Sequence, residues 1–314
     1  MVRIAVVGSG HMGRLHAEKV FALSQQGLPV TLEGVCDIDP VRGEQLGRRF
    51  GVASTTDGAE LLRKADAAIV AVPTVEHCRM VLLALDKGCD VLVEKPIAAD
   101  LEQAENLIKR ASESGLILQV GHLEWFNAGF EAIADRIHVP RLIEVVRVGP
   151  FGGRATDIDV VRDLMIHDLD LVQRLIGGQP EKIEATGVEV LTEWVDIANA
   201  RLVFPGGCTV NLTASRVSKT SKRKIRIFQS DCSFEVDLRS QKASISRKIS
   251  PASIGLDMEV IEAQPRDALM EQLRSFLYCV ERRESPQVGG ADGMGALRTA
   301  LRILQAMARD ERDE

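Results

Sequence analysis

The stretch Gly8-Ser9-Gly10-His11-Met12-Gly13 joins a short apolar run over residues 3–7 to a helix-like segment over residues 13–26. In a turn of this kind the first glycine permits the sharp bend, the second lets the backbone approach a pyrophosphate, and the third lets the helix pack on the strand. The helix N-terminus then offers N–H groups and a positive dipole end to phosphates. We therefore predict that Gly8, Ser9, Gly10, His11, Met12 and Gly13 form a dinucleotide-binding loop.

An acidic residue, Asp37, follows the next apolar run, over residues 30–36. A carboxylate at this position accepts hydrogen bonds from the ribose hydroxyls of NAD and repels the 2′-phosphate of NADP. The sequence therefore favours NAD as the cofactor. Arg42 and Arg48 lie close enough in the sequence to leave NADP open.

Short apolar runs rich in Val and Ile alternate with amphipathic stretches through the first 120 residues. The runs lack polar–apolar alternation, which is typical of parallel strands covered on both faces. Strands that alternate with helices predict a doubly wound parallel sheet of the Rossmann type. The predicted strands are residues 3–7, 30–36, 67–72, 90–93 and 116–120, and the predicted helices are residues 13–26, 40–50, 75–87 and 100–114.

The pattern changes after about residue 122, where strand-like segments follow one another with few helices between them. Such a succession predicts a large, mostly antiparallel sheet with flanking helices, an α+β arrangement. We therefore predict two domains, residues 1–122 and residues 123–314. In the second domain the predicted helices are residues 126–137, 159–176, 266–283 and 295–308, and the predicted strands are residues 142–148, 182–191, 196–204, 208–214, 224–228, 232–237 and 243–249.

The composition excludes several classes of protein. With 314 residues, 45% hydrophobic and 27% charged, the chain is unlike collagen-like or disordered sequences. A net charge of −6 gives no basic field for nucleic acid, and no apolar run approaches the ~20 residues that span a bilayer. Six cysteines without a CxxC pair predict buried thiols, and we expect a cytoplasmic protein without a zinc site or disulfides.

Two stretches follow predicted strands at the edge where ligands bind in open α/β sheets, Val72-Pro73-Thr74 and Glu94-Lys95-Pro96. Pro96 lacks a backbone donor, so the strand ends there and leaves Lys95 at its carboxyl tip. We expect both stretches to border the cofactor. His77 follows inside the next helix, where a polar residue at a helix start is at least as good an interpretation as a chemical role.

The predicted helix at 159–176 carries Asp163, His167 and Asp170 at positions i, i+4 and i+7. This spacing puts the three side chains on one helical face, and a polar stripe on an apolar helix needs a partner or a water-filled space beside it. No third ligand of suitable spacing accompanies Asp163 and His167, so we predict no metal site.

The order of these motifs resembles the glucose-fructose oxidoreductase / inositol dehydrogenase / MocA (Gfo/Idh/MocA) family over nearly the whole chain. The combination of Glu-Lys-Pro with a helical Asp-x-x-x-His is the specific part of the resemblance. It implies a Rossmann domain, a second domain with an open sheet that binds substrate and often mediates dimers or tetramers, and NAD(P)-dependent oxidation or reduction of sugars and cyclitols.

The resemblance also implies roles for individual residues. Lys95 would lie beside the nicotinamide and the reacting hydroxyl, and Asp163 and His167 would hold that hydroxyl and relay its proton. A histidine with a reference pKa of about 6.5 suits proton removal near neutrality, so we favour His167 as base, Asp163 as its orienting group and Lys95 as the polarising group. Whether Lys95 or His167 takes the proton stays open. The substrate-binding candidates are His122, Trp125, Asn127, Asp163 and His167.

Residues 121–127 and 156–167 are most similar to the branch of the family that oxidises UDP-N-acetylglucosamine at carbon 3, which yields a 3-keto sugar for a 2,3-diamino sugar of lipid A. The chain has Trp125 where members of the branch usually carry Arg, and Ala128 where they carry Pro. Another sugar or inositol dehydrogenase, an NAD-using glycosidase and a non-catalytic NAD(P)-binding regulator are the alternatives.

A basic run in the second half could contact the diphosphate of a nucleotide sugar. The interpretation as a solvated edge strand is favoured over this one. The run consists of Arg216, Lys219, Lys222, Arg223, Lys224 and Arg226.

Overall fold

The computed structural model describes residues 1–153, 158–250 and 254–310 and divides the chain into two compact units. The first unit comprises Met1–His122 and Leu269–Met294, and the second comprises Leu123–Ala268 and the residues from Gly295 onward. Thr156 and Asp157, which belong to the stretch that resembles the UDP-N-acetylglucosamine branch, lie outside the described residues.

The first unit is built on a six-stranded parallel sheet. Its strands are β1 (Val2–Val7), β2 (Val30–Cys36), β3 (Ala53–Thr55), β4 (Ala67–Val70), β5 (Asp90–Val93) and β6 (Leu118–Val120). Their order is β3-β2-β1-β4-β5-β6, and every pairing is parallel. The winding direction reverses between β1 and β4, so the crevice at the carboxyl ends of these two strands is where a ligand binds in such a sheet.

Helices connect the strands of this sheet, and their ends follow from local sequence. Asp39 accepts hydrogen bonds from the N–H groups of Val41 and Arg42 and so caps a helix that begins at Pro40. Gly51 ends the same helix at φ +68°, a left-handed conformation that favours glycine. The helices are α1 (His11–Gln25), α2 (Pro40–Phe50), α3 (Gly58–Leu62), α4 (His77–Asp86) and α5 (Leu101–Glu113), with a 3₁₀ turn at Thr74–Glu76.

The doubly wound parallel sheet predicted from the sequence is confirmed. Two short elements of it, β3 and α3, were not predicted, because three or five residues are too few to establish a periodicity. Strand β4 also ends two residues earlier than expected, which leaves residues 71–73 as a loop at the carboxyl edge.

The second unit contains an eight-stranded sheet that is mostly antiparallel, as predicted. Its strands are β7 (Leu142–Val148), β8 (Lys182–Val188), β9 (Ile197–Val203), β10 (Thr209–Ser215), β11 (Lys222–Phe228), β12 (Cys232–Asp237), β13 (Lys242–Lys248) and β14 (Leu256–Ile261). The order is β14-β13-β12-β11-β7-β10-β9-β8, and β7 pairs in parallel with β10. The edge strand β14 was not predicted.

One face of this sheet is apolar and is covered within the same unit. Alternate residues of each strand, such as Ile143 and Val145 of β7, point into a core that also holds Leu169 and Val172. The covering segments are the 3₁₀ turn Leu123–Phe126, α6 (Ala128–Ala134), a π-helical turn at Val161–Met165 and α7 (Ile166–Ile176).

The last two helices are α8 (Ala268–Arg282) and α9 (Gly290–Asp310). The sequence predicts all of α8 in the second domain, but Leu269–Met294 belongs to the first unit. The reason is packing: Leu273 and Phe276 are fully buried in one core with Ile4 and Leu92 of the parallel sheet. Each buried side chain of this size contributes about 1.5–3 kcal/mol, and a periodic helix pattern does not say which sheet it will cover. In the described residues no helix is both long and apolar enough to cross a membrane.

Candidate functional site

The glycine loop between β1 and α1 is constrained by close backbone packing. Gly8 has φ +99°, and a Cβ placed there would lie 2.4 Å from the carbonyl oxygen of Ala71. A Cβ on Gly13 would lie 1.7 Å from the carbonyl oxygen of Gly8. These two positions therefore need glycine for the fold of the loop itself, as the motif predicts.

Gly10 differs from the other two glycines of the loop. A Cβ built at Gly10 would meet no heavy atom within 4 Å among the described residues, so the packing of the chain leaves this space open. Gly10 also precedes α1, and no described side chain caps the first N–H groups of that helix. The Ser9 hydroxyl is buried beside it with no hydrogen-bond partner among the described residues. Open space, N–H donors and a hydroxyl together fit a bound pyrophosphate.

Asp37 connects the glycine loop to the end of β2. Its carboxylate accepts a hydrogen bond from the Ser9 N–H at 2.6 Å and another from the Asp39 N–H at 2.9 Å. Arg42 approaches the same carboxylate at 3.5 Å and is held by Asp39 at 3.0 Å. The acid is thus fixed just after the end of β2, and a guanidinium lies next to it.

A cleft of about 1010 Å³ opens in the first unit above these groups. Of the predicted cofactor-binding residues, Ser9, Gly13, Thr74 and Pro96 lie next to the wall in sequence without forming part of it. The wall includes Gly8, Gly10, His11, Met12, Asp37, Val72, Pro73, Glu94 and Lys95. The residues present therefore fit a dinucleotide.

The loop after β5 brings Lys95 to the wall of this cleft, where its side chain is half-buried. The preceding residue, Glu94, is buried and bonds the ring of His16 on α1, with 2.7 Å between Oε1 and Nε2. The following peptide bond, Lys95–Pro96, is cis. Glu94 therefore fastens the base of the Lys95 loop to the helix that begins the dinucleotide site.

The Asp-x-x-x-His segment lies in the second unit and is less regular than the sequence suggested. The expected helix is present, but Val161–Met165 forms a π-helical turn, and regular α-helix begins at Ile166. Asp163 lies in the π turn and His167 in the first turn of α7, both half-buried, whereas Asp170 is buried. The spacing i, i+4, i+7 places side chains on one face only in a continuous α-helix. The prediction that Asp163, His167 and Asp170 share one face therefore does not hold through the π turn, which contains Asp163.

A buried ionic group adjoins His167 in sequence and was missed by the sequence analysis. Arg147 on β7 donates to both carboxylate oxygens of Asp168 at 2.8 and 2.6 Å and to Glu124 at 2.7 Å. All three residues are buried. Burial disfavours the charge on Arg147, but the two carboxylates outweigh it and hold the pKa of its guanidinium above the ordinary value. The one available signal was an arginine in the inward-facing series Ile143, Val145, Arg147.

His122 and Trp125 are two more of the residues predicted to bind substrate. His122 is fully buried and ends the continuous part of the first unit. Trp125 packs at 5.7 Å from the ring of Phe130 and lies under the guanidinium of Arg174 at 4.1 Å.

Asn127 acts as the N-cap of α6. Its Oδ1 accepts hydrogen bonds from the N–H groups of Gly129 and Phe130, and its Nδ2 donates to the Leu238 carbonyl at 2.7 Å. These bonds engage both ends of the amide, so we do not carry Asn127 into the proposed site.

The basic run of the second unit is largely engaged by its own protein. Arg216 is buried and bonds Asp196 at 2.6 Å and the Ile158 carbonyl at 2.8 Å. Lys224 pairs with Glu235 at 2.5 Å, and Arg226 pairs with Glu144. Arg216, Lys224 and Arg226 are therefore engaged by the protein itself. The predicted edge strand is wrong, because β11 lies between β12 and β7 inside the sheet and Arg216 follows the end of β10.

Comparison with known proteins identifies the family of the chain. A family model described as an oxidoreductase family with an NAD-binding Rossmann fold matches residues 2–122, and one described as a GFO/IDH/MocA C-terminal domain matches residues 149–236. The chain is 33% identical to UDP-N-acetylglucosamine 3-dehydrogenase of Acidithiobacillus ferrooxidans over 98% of this chain and 97% of that protein. It is 27% identical to scyllo-inositol 2-dehydrogenase (NAD(+)) of Bacillus subtilis over 93% of this chain and 90% of that one.

The solved structure of the Acidithiobacillus ferrooxidans protein matches the fold with a TM-score of 0.91 at 32% identity, covering 97% of each chain. Both halves of the chain thus agree with the family that the order of the motifs implied. The chain belongs to the GFO/IDH/MocA family of NAD-binding oxidoreductases.

Proposed function

We propose that this chain is an NAD-dependent dehydrogenase that oxidises the carbon-3 hydroxyl of UDP-N-acetylglucosamine to a ketone. The observation that carries the reaction type is Lys95, an amine on the wall of the same cleft that holds the open Gly10 position and Asp37. The full-length relative at 33% identity supports the substrate.

NAD, when bound, supplies the acceptor for the hydride that leaves the carbinol carbon. The chain's own residues then have to manage the hydroxyl proton. We assign its removal to His167, the orientation of the imidazole to Asp163, and the polarisation of the substrate oxygen to Lys95. Lys95 is the alternative base, and the pH profile of Lys95→Met against that of His167→Asn separates the two assignments.

The test is a panel of UDP-sugars, free sugars and inositols with NAD, followed by the absorbance of the reduced cofactor. We expect UDP-N-acetylglucosamine to give the highest kcat/KM and Lys95→Met to lower kcat at least about 100-fold while NADH still binds. Product analysis should detect a 3-keto nucleotide sugar with the glycosidic bond intact. Wild-type turnover of Lys95→Met, or no turnover of any UDP-sugar, would contradict the proposal.

A second candidate is an inositol or free-sugar dehydrogenase, which the scyllo-inositol relative at 27% identity favours. Retention of Lys95, Asp163 and His167 argues against a non-catalytic regulator. Among the basic residues, exposed Lys219, Lys222 and Arg223 are the remaining candidates for a diphosphate contact. An unchanged KM for the UDP-sugar in Arg223→Ala would remove that residue from the site.

We also propose that the protein forms a homo-oligomer through the outer face of its large sheet. Leu256, Met258 and Val260 lie on one face of the edge strand β14 with exposed fractions of 69%, 68% and 69%. Opposite them on β13 lie Ser244, Ser246 and Lys248, so two of the three cross-strand pairs on this face are uncharged and the third carries one lysine at the end of β13. Light scattering of Met258→Asp against wild type tests it: an unchanged mass would contradict the proposal.

The cysteines support a reducing compartment, and we propose the cytoplasm. All six are free thiols, and burial raises the pKa of Cys36, Cys89 and Cys208 to about 11. Fractionation of cells that produce the protein is the direct measurement.

A further inference from the structure

His77 lies between the two loops that border the cofactor cleft. It is the first residue of α4 and only 1% exposed. Its Nδ1 lies 2.8 Å from the Pro96 carbonyl oxygen, and its Nε2 lies 3.0 Å from the Val72 carbonyl oxygen. Both nitrogens of one ring are therefore within hydrogen-bond distance of two loops that are more than twenty residues apart in sequence.

These two loops carry groups that face the cleft. The parallel ladder between β4 and β5 continues to the hydrogen bond from the Glu94 N–H to the Val70 carbonyl at 3.0 Å, and the His77 ring joins the chains beyond that point. Val72 and Lys95 both belong to the cleft wall. Pro96 directly follows Lys95, so the position of its carbonyl group constrains the backbone that carries the lysine.

The His77 ring contacts two carbonyl oxygens, and its protonation state decides to how many of them it can donate a hydrogen bond. Burial lowers the pKa of His77, against the opposing influence of the two carbonyl groups and of Glu94, while the nearby Lys95 lowers it further. A neutral imidazole carries one N–H, so it donates to one carbonyl at a time. The contact to Pro96 and the contact to Val72 are therefore separate interactions that substitutions can separate.

We propose that His77 is a positioning residue for the dehydrogenase reaction. In the tautomer with the proton on Nδ1 it holds the loop that carries Lys95 through the Pro96 carbonyl, and in the tautomer with the proton on Nε2 it holds the wall of the cofactor cleft through the Val72 carbonyl. The first half of this inference rests on the function proposed for Lys95, whereas the second half concerns NAD binding alone. Displacement of a reacting group by about 1 Å can cost roughly 100-fold in rate, so a modest loop movement would be measurable.

Two nearly isosteric substitutions distinguish the contacts. In His77→Asn the amide nitrogen falls near the Nδ1 position, and in His77→Gln it falls near the Nε2 position. We expect His77→Asn to keep kcat within about threefold and to weaken NADH binding about fivefold, and His77→Gln to keep NADH affinity and lose about tenfold or more in kcat. His77→Phe should lose in both measurements. NADH affinity is followed by fluorescence titration without sugar, and kcat with the best substrate of the panel.

Val81→Ala is the matched control, because Val81 is a fully buried residue of the same helix that contributes nothing to the cleft wall. Changes in kcat and NADH affinity that equal those of Val81→Ala would overturn the inference, as would wild-type values in all three His77 variants. Loss of folded protein in all three while Val81→Ala folds would assign His77 to stability and overturn it as well. Lys95→Met is measured in parallel: if it keeps its activity, the proposed function fails, and if it loses activity while the His77 variants do not, only the role of His77 fails.

Discussion

Asp37 in the first unit and Arg147 in the second unit are fixed by different means. In the first unit the Asp37 carboxylate is held by backbone N–H groups of Ser9 and Asp39, at the rim of an open cleft. In the second unit the guanidinium of Arg147 is enclosed by carboxylates of Glu124 and Asp168, which come from separate segments of the chain. An acid fixed by the backbone at a cleft is available to a ligand, whereas a sealed ionic group serves the fold. Substitution of Asp37 should therefore affect ligand binding, and substitution of Arg147 should affect folding.

The largest expected effect comes from a pair of alanine substitutions in the glycine loop. Gly13→Ala drives a Cβ to 1.7 Å from the Gly8 carbonyl oxygen, so we expect more than about 4 kcal/mol of lost unfolding free energy or no folded protein. Gly10→Ala enters open space at φ −69°, which alanine adopts readily, and should change stability by less than about 1 kcal/mol. The same methyl group would occupy the space that we propose for the pyrophosphate and should weaken NADH binding about tenfold or more.

Denaturant unfolding and NADH titration of the two variants test whether Gly13→Ala loses stability and Gly10→Ala loses NADH affinity. Wild-type NADH affinity in Gly10→Ala would contradict the assignment of that space to the cofactor. A folded Gly13→Ala with wild-type stability would show that the loop can shift to accept a side chain, so that glycine is not required at this position.

A smaller but still large effect is expected in the sealed ionic group. Arg147→Met leaves two buried carboxylates without their cation and should lower the unfolding free energy by about 3–5 kcal/mol. The double variant Arg147→Met, Asp168→Leu removes one of those carboxylates and should recover part of the loss. Chemical denaturation of both variants tests this, and a single variant as stable as wild type would show that Arg147 does not stabilise the second unit.

Much of the first unit could be predicted from contiguous residues. The glycine loop, Asp37 and the Glu-Lys-Pro stretch each express a local requirement, such as a positive φ at Gly8 or an end to strand β5, and each lies where the sequence placed it. The Arg147 group could not be found in this way, because its partners lie 21 and 23 residues from Arg147 and no local pattern pairs them. The fold class was thus available from the sequence, and the ionic network was not.

Two further differences have the same origin. Helix α8 was assigned to the wrong domain because amphipathicity fixes which face is buried and not which sheet covers it. The π turn at Val161–Met165 was missed because its apolar spacing is compatible with an α-helix. Both features depend on tertiary packing, which no local pattern in the sequence reveals.

Substitution of Asp196 is expected to cause an intermediate loss of unfolding free energy, and the size of this loss should depend on pH. Burial opposes its charge, but the N–H groups of Val190, Leu191 and Thr192 together with Arg216 hold the pKa of Asp196 well below its ordinary value. A lowered pKa in the folded state contributes stability that is present above the unfolded value of about 3.9 and is lost as pH falls below it.

Asp196→Asn should therefore cost about 1–3 kcal/mol at pH 7 and flatten the loss of stability below about pH 4. Unfolding midpoints measured from pH 7 to pH 2.5 in wild type and variant check the sign. Parallel curves for the two proteins, offset by a constant amount, would show that Asp196 does not titrate between the folded and unfolded states.

The smallest effects are expected in the first unit, on the affinities for NAD and NADP of variants at Asp37 and Arg42. Asp37→Ala should weaken NAD about tenfold and NADP much less, because the lost carboxylate binds the ribose of one and repels the 2′-phosphate of the other. Arg42→Ala should leave NAD within about twofold and weaken NADP several-fold, since Arg42 is the cation beside Asp37. Asp37→Asn, which keeps one acceptor for the Ser9 N–H, is the control for damage to the loop. Equal losses for both cofactors in Asp37→Ala would mean that Asp37 orders the glycine loop without reading the ribose, and backbone-fixed charges at the cleft would then serve the fold just as the sealed group of the second unit does.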